Sequence, residues 1–191
     1  SAVVSLGLHE TDILNAFVER AKSAFGMDFR AKTQERGAKG NYFDVAAVGT
    51  DGKRGVDLSN QLKELFGATV KFDRHIPSMI FDANKDARLA FLAGMIDADG
   101  YVNSNSKMSK VQIGSTNKEL ALQQMLLAQS LGMRASVYRN HYNSNNKDKI
   151  RYKVEFIPTE ELVEYIVSEK KRLNVINTER SNFSITNTNK C

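Results

Sequence analysis

A chain of 191 residues, 41% of them hydrophobic, is long enough for one mid-sized domain or two small ones with real cores. No stretch approaches the roughly 18 consecutive apolar residues of a membrane span, and a single Cys, Cys191, excludes an internal disulfide framework or a Cys-rich zinc site. Lys and Arg number 27 against 22 Asp and Glu, a net +5, which suits a polyanionic partner without identifying one. The start, Ser1 to Ser5, has no basic cluster leading into an apolar run, so no secretory signal and no membrane association are expected. The expected compartment is intracellular, the nucleus in a eukaryote.

In chain order, Ala2 to Leu8 reads as a strand. Thr11 or Asp12 is placed to cap a helix in which Ile13, Leu14, Phe17, Ala21 and Phe25 recur at helical spacing, and Gly26 ends it. Met27 to Lys32 and Tyr42 to Val48 read as strands around the basic, Gly-containing loop 34–40, and Leu58 to Phe66 as a short amphipathic helix stopped by Gly67. A helix and a turn are expected from about Lys85 to Asn103. After it the earlier order returns. Lys110 to Gly114 is a strand, 118–131 a helix ended by Gly132, and Arg134 to Tyr138 and Arg151 to Ile157 are strands around a polar loop, His141 to Lys149. Thr159 then caps a helix carrying Leu162, Val163, Tyr165 and Ile166.

Internal similarity fixes architecture before any other signal. Ala21 to Met27 and Ala128 to Met133 occupy matching places, each ending in Gly-Met. The expectation is an α+β fold of two pseudo-symmetric αββαββα-like halves with antiparallel sheets, residues 1–73 and 74–173, and a polar tail, 174–191. The first half shows no counterpart of the helix at 85–103, which would have to lie upstream of Ser1.

That helix holds the chemistry. Its small residues Ala93, Gly94 and Ala98 would let a second backbone approach closely. Asp97 and Asp99 fall at its C-terminus, where the helix dipole disfavours negative charge unless a cation compensates. Phe91 to Gly100 resembles the LAGLIDADG motif of homing endonucleases; Leu92 to Gly100 departs from the eponymous sequence at Met95 alone. The resemblance extends over nearly all the chain and is closest to intein-embedded endonuclease domains of the yeast vacuolar ATPase type, although no splicing block is evident and splicing is not expected.

The resemblance implies a site-specific double-strand DNA endonuclease using Mg²⁺ or Mn²⁺, with Asp99 and Gly100 at the metal. Asp97 would support the helix end. His75-Ile76-Pro77 resembles the short element before the family's second motif helix. Where the family places a Lys just before it, this chain has Arg74, with Lys71 three residues earlier; Arg keeps the charge but cannot readily lose a proton. Lys170 or Lys171, in Lys170-Lys171-Arg172, resembles a second catalytic basic position, the alternative being a helix C-terminus decorated with cations. The two-half members use one acid from each half, and here one motif is present. The partner acid is then expected from a segment upstream or, less simply, from a homodimer through residues 86–99.

Two strand pairs carry the cations expected on DNA: Arg30, Lys32, Arg36 and Lys39 on the first, and Arg134, Arg139, Lys147, Lys149, Arg151 and Lys153 on the second. A basic two-stranded ribbon fits the major groove, although Lys-rich edge strands also serve against aggregation. The alternative functions are a catalytically degenerate DNA-binding protein of the same fold and an RNA-splicing maturase.

Overall fold

The computed structural model describes residues 3–35, 41–49, 54–67, 74–103, 109–144 and 147–175, with backbone alone at 144, 147 and 148. Contacts divide the chain between Gly67 and Ala68.

In the first unit β1 (Val3–Gly7) leads into α1 (Thr11–Phe25), then β2 (Asp28–Glu35), β3 (Asn41–Val48) and α2 (Gly55–Phe66). The strands form an antiparallel sheet in the order β1-β3-β2. Alternation sends Val45 of β3 inward, where it is buried with Leu6, Ala21, Met27 and Leu58. Phe17 and Phe25 of α1 pack on Phe29 of β2, Phe17 edge-on at 5.5 Å between ring centres. The cap of α1 differs from expectation. Thr11 lies inside the helix and the N-cap is Glu10, which makes no side-chain cap because its carboxylate accepts the Gly7 N–H at 2.7 Å.

The second unit contains α3 (Ser78–Asp82), α4 (Lys85–Asp99), β4 (Gly100–Asn103), β5 (Lys110–Ser115), α5 (Lys118–Ser130), β6 (Ala135–Ser144), β7 (Lys147–Phe156) and α6 (Glu160–Tyr165), followed by a helix α7 at 169–175. From α4 to α6 this is the αββαββα order. Its antiparallel sheet runs β4-β5-β7-β6. Val102, Val111, Ile113, Val154 and Phe156 point to one face, where they meet Leu89, Leu92 and Ile96 of α4, Leu127 of α5, and Leu162 and Ile166 of α6. Among the described residues no element covers the other face, where Tyr101, Tyr138 and Tyr142 are exposed. Asn117 and Thr159 cap α5 and α6 through the N–H groups of Leu120 and Leu162. The repeated glycines match in conformation: Gly26 (φ 60°) and Gly132 (φ 82°) both adopt the left-handed region that ends a helix.

Three further expectations are corrected. The turn after the motif is a strand, β4, which pairs with β5 from Gly100↔Ile113 to Asn103↔Lys110. The polar stretch His141 to Lys149 is mostly strand, since β6 and β7 extend to Ser144↔Lys147 and cross-strand pairing needs no apolar side chains. Lys170 and Lys171 do not end α6. Instead, they sit in the first turns of α7, separated from α6 by residues 166–168. Helix α7 carries Val175 into the core, and the Ser109 hydroxyl donates to the Val175 carbonyl at 2.9 Å.

Candidate functional site

The motif helix α4 starts at Asn84, whose Oδ1 accepts the Ala87 N–H at 2.8 Å. Leu89, Leu92, Ala93, Ile96 and Asp97 are buried along one side. The opposite side, Ala87, Ala90, Gly94 and Ala98, is exposed, and a Cβ added at Gly94 would meet nothing within 4 Å. An exposed stripe of small apolar residues is unlike the polar outer face of an ordinary surface helix.

The two motif acids separate sharply. Asp97 is 6% exposed, and its carboxylate accepts the backbone N–H groups of Val167 (2.9 Å, Oδ2) and Ser168 (2.9 Å, Oδ1) where the chain enters α7. The Lys171 Nζ answers in the opposite direction, donating to the carbonyls of Ile96 and Asp97 at 2.7 Å each. Cationic donors at a helix C-terminus and an anionic acceptor at a helix N-terminus are both favoured by the helix dipoles. This reciprocal clasp fixes the end of α4. Asp99, by contrast, is exposed and has no hydrogen-bond or ion-pair partner among the described residues. Gly100 turns the chain straight into β4 with an extended backbone (φ −77°, ψ 144°), and a Cβ there would lie 2.7 Å from the Ile96 Cα and carbonyl oxygen.

Of the two candidate lysines, Lys171 is thus placed on the motif helix, and Lys170 is exposed one residue away. The Arg74 side chain is exposed, while its carbonyl accepts from Asn117 Nδ2 at 2.9 Å and the Ile76 N–H donates to Gln123 Oε1 at 2.7 Å. These bonds pin the 74–77 segment to α5.

The open sheet face gathers some of the expected cations and not others. Cross-strand partners share a face, so Lys149, Arg151 and Lys153 lie with Tyr142, Asn140 and Tyr138. The Arg151 guanidinium lies across β5, in the space a Cβ at Gly114 would take. Arg139 pairs with Tyr152 and therefore points to the opposite, helix-bearing side. Arg134 is exposed just before β6. In the first unit Arg30 and Lys32 lie opposite Ala46 and Asp44, away from buried Val45. Arg36 and Lys39 fall outside the described residues, as does the side chain of Lys147.

The sequence reading missed Lys110, Gln112 and Glu155 on the same open face. Glu155 Oε1 accepts from Lys110 at 2.9 Å and Oε2 from Gln112 at 3.0 Å, with Lys153 Nζ 3.5 Å away. The Lys110 hydrogen bond holds the Glu155 carboxyl below its ordinary range despite partial desolvation. Lys153 also stands 5.4 Å over the Tyr138 ring. The strict alternation Arg151-Tyr152-Lys153-Val154-Glu155-Phe156 contained the signal that puts Glu155 beside the two cations.

Among the described residues no three His, Cys, Asp or Glu side chains cluster closely enough to hold a metal. An exposed carboxylate nevertheless fits a hard cation such as Mg²⁺, which takes one or two carboxylates and keeps several waters.

A helix-backed antiparallel sheet, open on one face and joined to a helix that ends in an uncovered acid, has the α+β homing endonuclease fold. A family model described as a LAGLIDADG-like domain matches residues 86–181, just over half of the chain. The chain belongs to that family. A crystal structure of the homing endonuclease I-DmoI in complex with DNA and Mn is similar at TM-score 0.50 and 16% identity, over 88% of this chain and 81% of that one. The Bacillus subtilis ribonucleoside-diphosphate reductase NrdEB subunit alpha is 30% identical over 84 residues, 44% of this chain. The Methanocaldococcus jannaschii replication factor C small subunit is 23% identical over 179 residues, 90% of this chain. The chain spans 8% and 9% of those two proteins.

Proposed function

We propose that this chain is a site-specific double-strand DNA endonuclease domain that uses Mg²⁺ or Mn²⁺, embedded in a host protein in the manner of an intein. The observation that carries the reading is the end of α4, where a stripe of small exposed residues leads to an exposed Asp99, unpaired among the described residues, while Asp97 and Lys171 hold the helix terminus in place. Asp99 and the Gly100 main chain would hold the ion, which when bound stabilises charge on the phosphate being cleaved. Arg74 supplies a permanent positive charge for a phosphate, and Lys170 a second. The stripe from Ala87 to Ala98 receives a second motif helix bringing the other acid, from another segment or from another copy of the chain.

The open sheet supports the DNA half of the reading. At about 3.4 Å per residue, the ten-residue strands β6 and β7 run about 34 Å, close to one turn of B-DNA. Lys149, Arg151 and Lys153 line that ribbon. Two relatives with unrelated chemistry share a stretch that is under a tenth of each, which favours a domain carried inside its hosts. That the described residues hold one motif helix, with one exposed acid at its end, leaves a second reading, a DNA-binding protein of the same fold that does not cut.

Cleavage of a randomised duplex library with Mg²⁺ decides between them. Cleavage by this chain that disappears in Asp99→Asn is the expected result. Selective retention of uncut DNA by both proteins establishes the binding-only reading, and no retention by either removes DNA as the partner.

A further inference from the structure

We propose that Glu155 is a specificity-determining residue: it selects a base with an exocyclic amino group, adenine or cytosine, at one position of the bound duplex and rejects guanine and thymine. This rests on the DNA-binding reading above.

Among the described residues of the open sheet face, Glu155 is the one carboxylate; its neighbours across β5 and β6 are Gln112 and Ser136, and along β7 Lys153. A negative charge weakens any surface that receives phosphates. Stability accounts for it only in part: the carboxylate is 14% exposed, but its ion-pair partners Lys110 and Lys153 are 42% and 31% exposed, so solvent screens both pairs. Readout does account for it. In the major groove adenine and cytosine offer an amino hydrogen at the place where guanine and thymine offer a carbonyl oxygen. An ionised carboxylate accepts and never donates, so it attracts the first pair and repels the second.

Glu155 is built for that discrimination. Lys110 and Gln112 each hold one oxygen, which fixes the rotamer before DNA arrives. A carboxylate accepts up to about four hydrogen bonds, so capacity remains for a base. The Lys110 bond lowers its pKa against the partial desolvation of the carboxyl. Lys110 and Lys153 flank it and offset its repulsion of the phosphates.

The test is repeated selection of the full chain, without added metal, on a randomised duplex library, in parallel with Glu155→Leu. The variant is close in size and offers a base neither donor nor acceptor. The wild type is expected to enrich one column for adenine or cytosine by about tenfold, the scale of one good base contact, and the column shows which of the two it prefers. The variant is expected to flatten that column alone. A converse measurement leaves the protein intact: replacing the selected base by its deamino analogue weakens wild-type binding about tenfold and leaves Glu155→Leu unmoved. A variant that keeps every column, even with higher overall affinity, overturns the inference and leaves the DNA reading standing. A wild type that enriches no sequence overturns both.

Discussion

The two sides of the motif helix answer to different demands. One side places Leu89, Leu92, Ala93 and Ile96 at 2% exposure or less, together with Asp97 and its two backbone donors. The other presents Ala87, Ala90, Gly94 and Ala98 to the surroundings and ends in the uncovered Asp99. Two carboxylates separated by one residue thus have opposite roles. Asp97 is an acceptor the fold consumes, and Asp99 is an acceptor the fold leaves available. A single motif therefore specifies both a core element and a reactive edge, and substitutions on its two sides should differ in sign as well as size.

The largest effect is expected from Ile96→Ala, which removes a fully buried side chain from the centre of the second unit. Chemical denaturation should show a loss of about 2–5 kcal/mol, and a loss under 1 kcal/mol would mean that this side is not the packed one. Asp97→Ala comes next, at about 2–3 kcal/mol, because the Val167 and Ser168 N–H groups are left without their charged acceptor. Hydrogen exchange localised to the start of α7 would report the loosened clasp. On the open side the sign reverses. Gly94→Ala should raise stability by about 0.5–1 kcal/mol, since the added methyl meets no neighbour and Ala is the better helix former. Any cleavage activity should nevertheless fall if a second helix packs there. Asp99→Asn gives the smallest change, a gain of about 0.3–1 kcal/mol from removing a negative charge at a helix C-terminus. A destabilised Asp99→Asn would show that Asp99 has a structural partner and would erase the contrast with Asp97.

Periodicity made α1, α5 and β5 legible nearly to their ends, because their apolar residues recur at one spacing and Gly26 and Gly132 stop the two helices. It failed where polar residues form structure through backbone pairing. The tip of the β6–β7 hairpin has almost no apolar side chains, so it read as a loop. β4 was hidden behind the Asp-Gly pair that usually marks a turn. The three consecutive cations at 170–172 looked like the close of a helix because the break at 166–168 is stabilised from elsewhere, by Asp97.

By itself the sequence determined the α+β repeat, the motif helix with two acids at its end, and the basic character of the strands, because each is written in local spacing and residue type. Tertiary structure alone decided how the acids and cations divide. Arg139 turns away from Lys149, Arg151 and Lys153 because strand register fixes its face. Asp97 and Asp99 part because the N–H groups that satisfy Asp97 come from residues some seventy positions along the chain. Glu155 joins Lys110 and Gln112 because β5 and β7 are neighbours in the sheet. Local patterns carry no information about which distant donors will arrive at a given acceptor, and the chemistry of each acid depends on that arrival.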